Sequence, residues 1–328
     1  MTRVAITGAS GLLGSNLAAE LIAAGHSVIA TRRAGTQVAH LADLAIEWRD
    51  ADLANEAALA KAFAGAEAVF HCAAMVTVKR EVTPEMIDAN VTGTDRVIAA
   101  CTTAGVKRLV HTSSVVAIGL TTNGKPSDET ARWNFDELGL SDAYAITKHQ
   151  AEDRVRAAKI DAVIVNPTFM FGPRDARPSS GKMIRDVVRG RVPASTPGFN
   201  NFVDVRDVAR GMIAAWHRGK RGERYILGGH DMTYKRCFET IAKVANVKPP
   251  RFQVPLPVAK LLGLFGDAME RLGRDSLVNS TQIRYAYTDK FRFTSARAQA
   301  ELGYTYSPLE PAISDAIAWF RGHGMLSA

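Results

Sequence analysis

Thr7-Gly8-Ala9-Ser10-Gly11-Leu12-Leu13-Gly14 follows the apolar run Val4 to Thr7 and leads into the helical spacing of Leu12 to Ala24. Gly8 permits a tight turn, Gly11 lets backbone approach a pyrophosphate, and Gly14 lets the helix pack closely on the strand. The helix N-terminus then turns its free amides and positive dipole end toward the phosphates. Three glycines alone carry little weight. Their setting between a strand and a helix is what points to a dinucleotide.

The first 167 residues alternate short apolar runs with helical patterns. Val4 to Thr7, Ser27 to Thr31, Ala45 to Trp48, Ala68 to Phe70, Arg108 to Thr112 and Ala162 to Asn166 read as strands. Leu12 to Ala24, Asn55 to Ala64, Pro84 to Ala104 and Asp142 to Ala158 read as crossover helices, with Gly25 and Gly105 at C-terminal caps. The fold class is therefore α/β, a Rossmann-type doubly wound parallel sheet. After Asn166 the texture changes to prolines, glycines and short helices, with Phe202 to Asp204 and Tyr225 to Leu227 as returning strands. The expected organisation is a cofactor lobe over 1–167, completed by about 201–229, and a substrate lobe over 168–200 and 230–328. Within the latter, the segment Pro249 to Gly273 with its apolar run Val258 to Phe265 is expected to pack as a helix rather than rest on a membrane surface.

At 328 residues, 47% hydrophobic and 23% charged, the chain is an ordinary globular protein with a sizeable core. Cys72, Cys101 and Cys237 are far apart and show no metal-ligand spacing, so a reducing, cytoplasmic setting is the default expectation. No window reaches about 18 uninterrupted apolar residues, which argues against a membrane span. The net charge of +8 comes from scattered cations, such as Arg32-Arg33 and Lys220-Arg221, without interleaved aromatics. That pattern does not suggest nucleic acid, and a phosphorylated cofactor accounts for part of the charge.

About 20 residues past the glycine turn, an NAD enzyme usually places an acid on the ribose 2′-hydroxyl. Here stand Thr31-Arg32-Arg33. Two guanidiniums suit a 2′-phosphate, so the expected cofactor is NADP(H), with NAD less favoured. Asp52 and Leu53, after the third strand, are candidates for the adenine.

Tyr144 and Lys148 form Tyr-x-x-x-Lys, an i, i+4 pair on one helical face. A buried ammonium favours tyrosinate, so Tyr144 is expected to titrate below its ordinary value of about 10 and to exchange a proton with a carbonyl or alcohol oxygen. Val110-His111-Thr112-Ser113-Ser114 ends the fifth strand, and ligands of open α/β sheets bind at the carboxyl ends of strands. Ser113 and Ser114 both qualify as the hydroxyl that holds the reacting oxygen; His111 reads as a strand histidine. No nucleophile elbow or glycosidase-like carboxylate pair is apparent.

Taken together, TGASGLLG, Asp52-Leu53, His71-Cys72-Ala73-Ala74, Asn90-Val91-Thr92-Gly93-Thr94, Ser113-Ser114, YAITK and Asn166-Pro167 resemble the extended short-chain dehydrogenase/reductase superfamily along the whole chain. The resemblance implies a Ser-Tyr-Lys triad and, through Gly119, selects Ser114. It also implies that Ala73, Asn90 and Pro167 lie along the cofactor, that Lys148 holds the nicotinamide ribose, and that homodimers form through the helices carrying Asn90 and Tyr144. NPTFMFGPRD, GERYILGG and SARAQAELGY are most similar to dihydroflavonol-4-reductase-like and hopanoid-associated sugar-epimerase-like proteins.

Two departures separate those reactions. Ser114-Val115-Val116 stands where related dehydratases carry Thr-Asp-Glu, which disfavours dehydration. Nucleotide-sugar epimerases place a diphosphate-binding arginine seven residues before the Asp of the DVA motif, and here that position is Asn200. Arg174, Arg177 and Arg206 are the possible substitutes. Met75, Phe169, Met170, Phe171, Phe199 and Phe202 could line a site for a lipophilic small molecule or belong to the core. The expected activity is NADP-dependent interconversion of a ketone or aldehyde and an alcohol. The alternatives are an NAD-dependent nucleotide-sugar epimerase and, from a different class, a non-catalytic NADP-sensing protein.

Overall fold

The computed structural model describes residues 1–77, 80–272, 274 and 278–327. Its strands are β1 (Arg3–Thr7), β2 (Ser27–Arg32), β3 (Ile46–Asp50), β4 (Ala68–His71), β5 (Arg108–Thr112), β6 (Ala162–Pro167), β7 (Phe169–Phe171), β8 (Ala194–Ser195), β9 (Phe199–Asp204), β10 (Arg224–Leu227), β11 (His230–Thr233) and β12 (Phe252–Gln253). Its helices are α1 (Leu12–Ala23), α2 (Glu56–Phe63), α3 (Pro84–Ile87), α4 (Gly93–Thr103), α5 (Ala143–Ala157), α6 (Gly181–Val188), α7 (Val205–Arg218), α8 (Tyr234–Ala245), α9 (Leu256–Arg271), α10 (Ser280–Tyr287), α11 (Ala296–Leu302) and α12 (Leu309–Gly322).

Seven strands form a fully parallel central sheet in the order β10-β6-β5-β4-β1-β2-β3. The alternation of side chains along each strand feeds two cores. Val4 and Ile6 of β1 join α1 and α7 on one face, while Ala5 joins α2 and α4 on the other. The strand order reverses between β1 and β4, and the glycine turn leaves the sheet at that crevice.

Three expectations are corrected. The helix expected over 84–104 is divided into α3, a π-helical turn at Asp88–Thr92, and α4. A Cβ on Gly93 would lie 3.2 Å from the Asp88 carbonyl, so the wide turn closes against a residue without a side chain. Of the two returning strands, Tyr225 to Leu227 joins the central sheet within β10, after α7 has crossed over it. Phe202 to Asp204 instead lies in β9 of a separate three-stranded sheet, β11-β9-β7. Finally, the run Val258 to Phe265 is largely exposed: only Ala259, Gly263 and Gly266 of α9 are buried. These small residues recur at helical spacing and form the contact face, which turns the large side chains outward. Gly273, the end of that segment, lies outside the described residues.

Candidate active site

Gly8 has φ +75°, and a Cβ there would meet the Ala73 amide nitrogen at 2.6 Å, so the turn and the end of β4 touch backbone to backbone. A Cβ on Gly14 would lie 2.3 Å from the Gly8 carbonyl oxygen. Gly11 differs: a Cβ there would meet only that carbonyl, at 3.5 Å, and otherwise face open space. No side chain caps α1, whose first-turn amides remain available to an anion. The cradle thus fits a pyrophosphate, with Ser10 on its rim and Leu12 and Leu13 anchored in the core beneath it.

At the β2–β3 edge, a cavity of about 870 Å³ is lined by Arg33, Thr36, Gln37, Asp52, Asn55 and Arg177, among others. Arg32 is partly committed elsewhere: its Nε donates to Asp50 at 2.9 Å and its guanidinium lies over Trp48. Arg177, weighed in the sequence only as a clamp for a substrate diphosphate, reaches Ser10 Oγ at 3.5 Å. Asn16 donates to the Pro173 carbonyl at 2.9 Å and holds this loop against α1. Leu53 packs beneath, against the second core.

The catalytic candidates meet at the opposite side of the crevice. Asp142 caps α5 by accepting from the Ala145 amide at 2.7 Å, which sets the helix that carries Tyr144 and Lys148. Lys148 Nζ is buried and donates to the Thr112 carbonyl at 2.6 Å. Burial pushes its pKa down to about 8, against the opposing pull of the Glu152 carboxylate. Burial pushes Tyr144 up to about 12, the nearby Ser114 hydroxyl favours its anion, and the Asp142 carboxylate opposes it. This corrects the expected downward shift of Tyr144. Desolvation of the phenolate outweighs the other influences, and the Lys148 ammonium is turned to a backbone carbonyl. Ser113 is buried and its Oγ has no partner, whereas Ser114 is the serine beside the phenol.

A buried network missed in the sequence supports this serine. Asn166 Nδ2 donates to the Ser114 carbonyl at 3.0 Å and to Glu152 at 2.7 Å; Arg224 donates to the other Glu152 oxygen at 2.9 Å. Glu152 stands four residues after Lys148, and that spacing was the available signal. Asn90 is buried in the π-helical turn, where its side chain accepts from the Met75 amide at 2.7 Å and donates to the Met75 carbonyl at 2.9 Å. It fixes the loop after β4. Pro167 ends β6 opposite Leu227. His111 is a strand histidine, as expected, buried with both ring nitrogens unpartnered.

The apolar lining candidates divide. Phe171 and Phe202 stack in the core, Phe169 and Met170 are partly buried against it, Phe199 lies under the Arg292 guanidinium, and Met75 is exposed. The substitute clamps are largely engaged. Arg174 is paired with Asp43, and Arg206 with Asp204 and Asp315, so neither offers a free guanidinium to a diphosphate. Asn200 donates to the Tyr234 hydroxyl at 3.1 Å.

The buried lysine allows a stability test. Its folded pKa of about 8 lies below the unfolded value of 10.5, so the charged form opposes folding fully below about pH 8. That penalty is relieved as pH rises toward 10.5. Lys148→Met is expected to stabilise the cofactor-free chain by about 1–3 kcal/mol at about pH 6, allowing for the lost bond to Thr112, with the gain shrinking several-fold by about pH 10. Thermal unfolding at both pH values checks it; a gain independent of pH would refute it.

A phosphate cradle and a proton-transfer pair facing each other across the sheet's reversal point suit hydride chemistry, which sets the chain in the class of Rossmann-type nicotinamide-dependent oxidoreductases acting on C=O and CH–OH groups. The chain belongs to the NAD dependent epimerase/dehydratase family, whose model matches residues 4–228, and the resemblance to extended short-chain dehydrogenases/reductases is borne out. It is 34% identical to sterol demethylase protein B of Methylococcus capsulatus, over 98% of this chain and 99% of that one. It is 32% identical to a Synechocystis protein provisionally named dihydroflavonol 4-reductase, over 97% of this chain and 94% of that one. Its fold is similar to that of a nucleoside-diphosphate-sugar epimerase from Pseudomonas aeruginosa, with a TM-score of 0.82, 26% identity and 99% of both chains covered. Among the described residues, no helix is long and apolar enough to cross a membrane.

Proposed function

We propose that this protein is an NADPH-dependent reductase that interconverts a ketone or aldehyde with an alcohol on a lipophilic small molecule. The observation that carries the reading is the convergence of Ser114, Tyr144 and Lys148 where β5 ends beside the amino end of α5. A bound nicotinamide supplies the hydride to the carbonyl carbon. Tyr144, neutral at physiological pH, gives its phenolic proton to the carbonyl oxygen, and Ser114 donates a hydrogen bond to that oxygen as charge develops. Lys148 holds the nicotinamide ribose, and the Ser114 hydroxyl favours the phenolate left behind. Gly8, Ser10, Gly11, Leu12, Leu13 and Gly14 form the pyrophosphate cradle; Arg32 and Arg33 face the 2′-phosphate; Asp52 and Leu53 border the adenine; Ala73, Asn90 and Pro167 border the remainder of the cofactor. On this reading, 1–167 with about 201–229 hold the cofactor, 168–200 with 230–328 hold the substrate, and the chain pairs as a homodimer through α4 and α5. The engagement of Arg174 and Arg206 and the amide at Asn200 support a lipophilic substrate over a nucleotide sugar.

The test is calorimetric binding of NADPH and NADH to the purified chain, after a denatured sample has been assayed for carried nucleotide. An empty protein that prefers NADPH is expected. Replacing Arg32 and Arg33 by Ala should weaken NADPH at least about tenfold while leaving NADH within about twofold, because each lost charge-assisted bond is worth about 1.5–3 kcal/mol. Equal losses would refute the 2′-phosphate assignment, and tightly retained NAD would replace the reductase reading with the epimerase.

A further inference from the structure

Helix α9 rests on α10 through its small residues. A Cβ on Gly263 would lie 3.1 Å from both Ser280 Cα and Ile283 Cγ1, so the two helices approach closely. The flank turned away exposes Leu256, Val258, Leu261, Leu262, Leu264 and Phe265, with Leu261 at 69% and Phe265 at 66%. Phe252 extends this surface before the helix and Leu272 after it. The exposed Arg80 guanidinium lies 3.7 Å from Asp267 and adds a cation beside the helix. Isolated apolar side chains on a surface need no explanation, but a continuous group of this kind marks an interaction face.

The charges on and around the helix are sorted by direction. Its two acids turn inward: Asp267 accepts from the Ser280 amide at 2.9 Å, and Glu270 accepts from Asn279 Nδ2 at 3.1 Å. Lys248, Arg251, Lys260, Arg271 and Arg274 are exposed. Among the described residues of α9 and of the segments just before and after it, the outward charge is thus positive around an apolar flank.

We propose that α9 is a peripheral docking helix for an anionic lipid bilayer. It would lie in the plane of the interface, with its large apolar side chains among the upper acyl chains and its cations over the lipid phosphates. The sixteen residues of α9 are too few to span a hydrocarbon core, which needs about 20. A second copy of the same face would bring like charges together, whereas an anionic bilayer complements them. The face is a protruding helix rather than a groove, a shape that a deformable lipid surface accommodates. Tyr285 of α10, the helix on which α9 rests, also donates to the Leu140 carbonyl at 2.8 Å, just ahead of the helix carrying Tyr144. The proposal goes beyond the reductase reading and does not rest on it.

Sedimentation of the full chain with vesicles tests it. The chain is expected to pellet with vesicles of equal parts phosphatidylcholine and phosphatidylglycerol, less with phosphatidylcholine alone, and less as salt is raised. Leu261→Ser combined with Phe265→Ser should lower partitioning at least about tenfold, and Arg251→Glu with Lys260→Glu about tenfold or more on the anionic vesicles only. Unchanged thermal unfolding of these surface variants would show that the fold is intact. Failure of the unaltered chain to pellet with anionic vesicles at low salt would overturn the proposal, as would full pelleting of the Leu261/Phe265 variant. Concentration-dependent self-association in light scattering, abolished by that same variant, would assign the face to a second copy instead and overturn it too.

Discussion

Tyr144→Phe is expected to lower kcat for carbonyl reduction about 10³-fold, within the range of about 10²–10⁴ for loss of a positioned general acid. The substitution deletes one hydroxyl and keeps the ring. With its pKa pushed up to about 12, the phenol is neutral in the cofactor-free chain at physiological pH, so no resting charge is removed. Lys148 donates to the Thr112 carbonyl rather than depending on the phenol, and its position should survive. NADPH affinity should therefore stay within about twofold while chemistry fails, the signature of an interaction made chiefly in the transition state. Steady-state kinetics and calorimetry on one preparation separate the two effects. A variant retaining more than about a tenth of kcat would exclude Tyr144 as proton donor.

Gly14→Ala is expected to cost about 3 kcal/mol or more of stability and to weaken dinucleotide binding at least about tenfold. In an open helix this change would gain about 1 kcal/mol from propensity. Here the new methyl would lie 2.3 Å from the Gly8 carbonyl oxygen and 2.8 Å from Ala9 Cα, and both obstacles are backbone. Relief requires α1 to move off the turn, opening the phosphate cradle itself. Gly322→Ala is the control, because an added Cβ there meets nothing within 4 Å in the last turn of α12. It should leave stability unchanged or slightly raised. If thermal unfolding responds alike to both substitutions, the close approach at Gly14 is not what requires glycine.

The parts of this molecule that were legible in its sequence are those set by neighbours along the chain. Strand, glycine turn and helix follow from local periodicity, and Tyr144 and Lys148 share a face because four residues make about one helical turn. What the sequence hid depends on residues distant in the chain. Nothing in YAITK reveals that burial would raise the Tyr144 pKa, because the desolvating neighbours come from other elements. Phe171 and Phe202 look like pocket residues until β7 and β9 pair and stack their rings. The apolar run in α9 has one composition whether its large side chains face in or out; the decision falls to Ala259, Gly263 and Gly266. The Arg224–Glu152 pair joins positions 72 residues apart, which no local pattern announces.

That pair also gives the polypeptide a timetable. A nascent chain ending at Pro167 already contains Ser114, Tyr144 and Lys148, together with Asn166, which grips the Ser114 carbonyl and Glu152. It lacks Arg224, so Glu152, 1% exposed in the finished fold, would be buried beside Lys148 without its guanidinium. Losing one partner of a buried ion pair is costly even with Asn166 and Lys148 still beside the carboxylate. Products that end before β10 therefore carry all three candidate catalytic residues and the Asn166 contact to Ser114, but not the guanidinium that completes the Glu152 network.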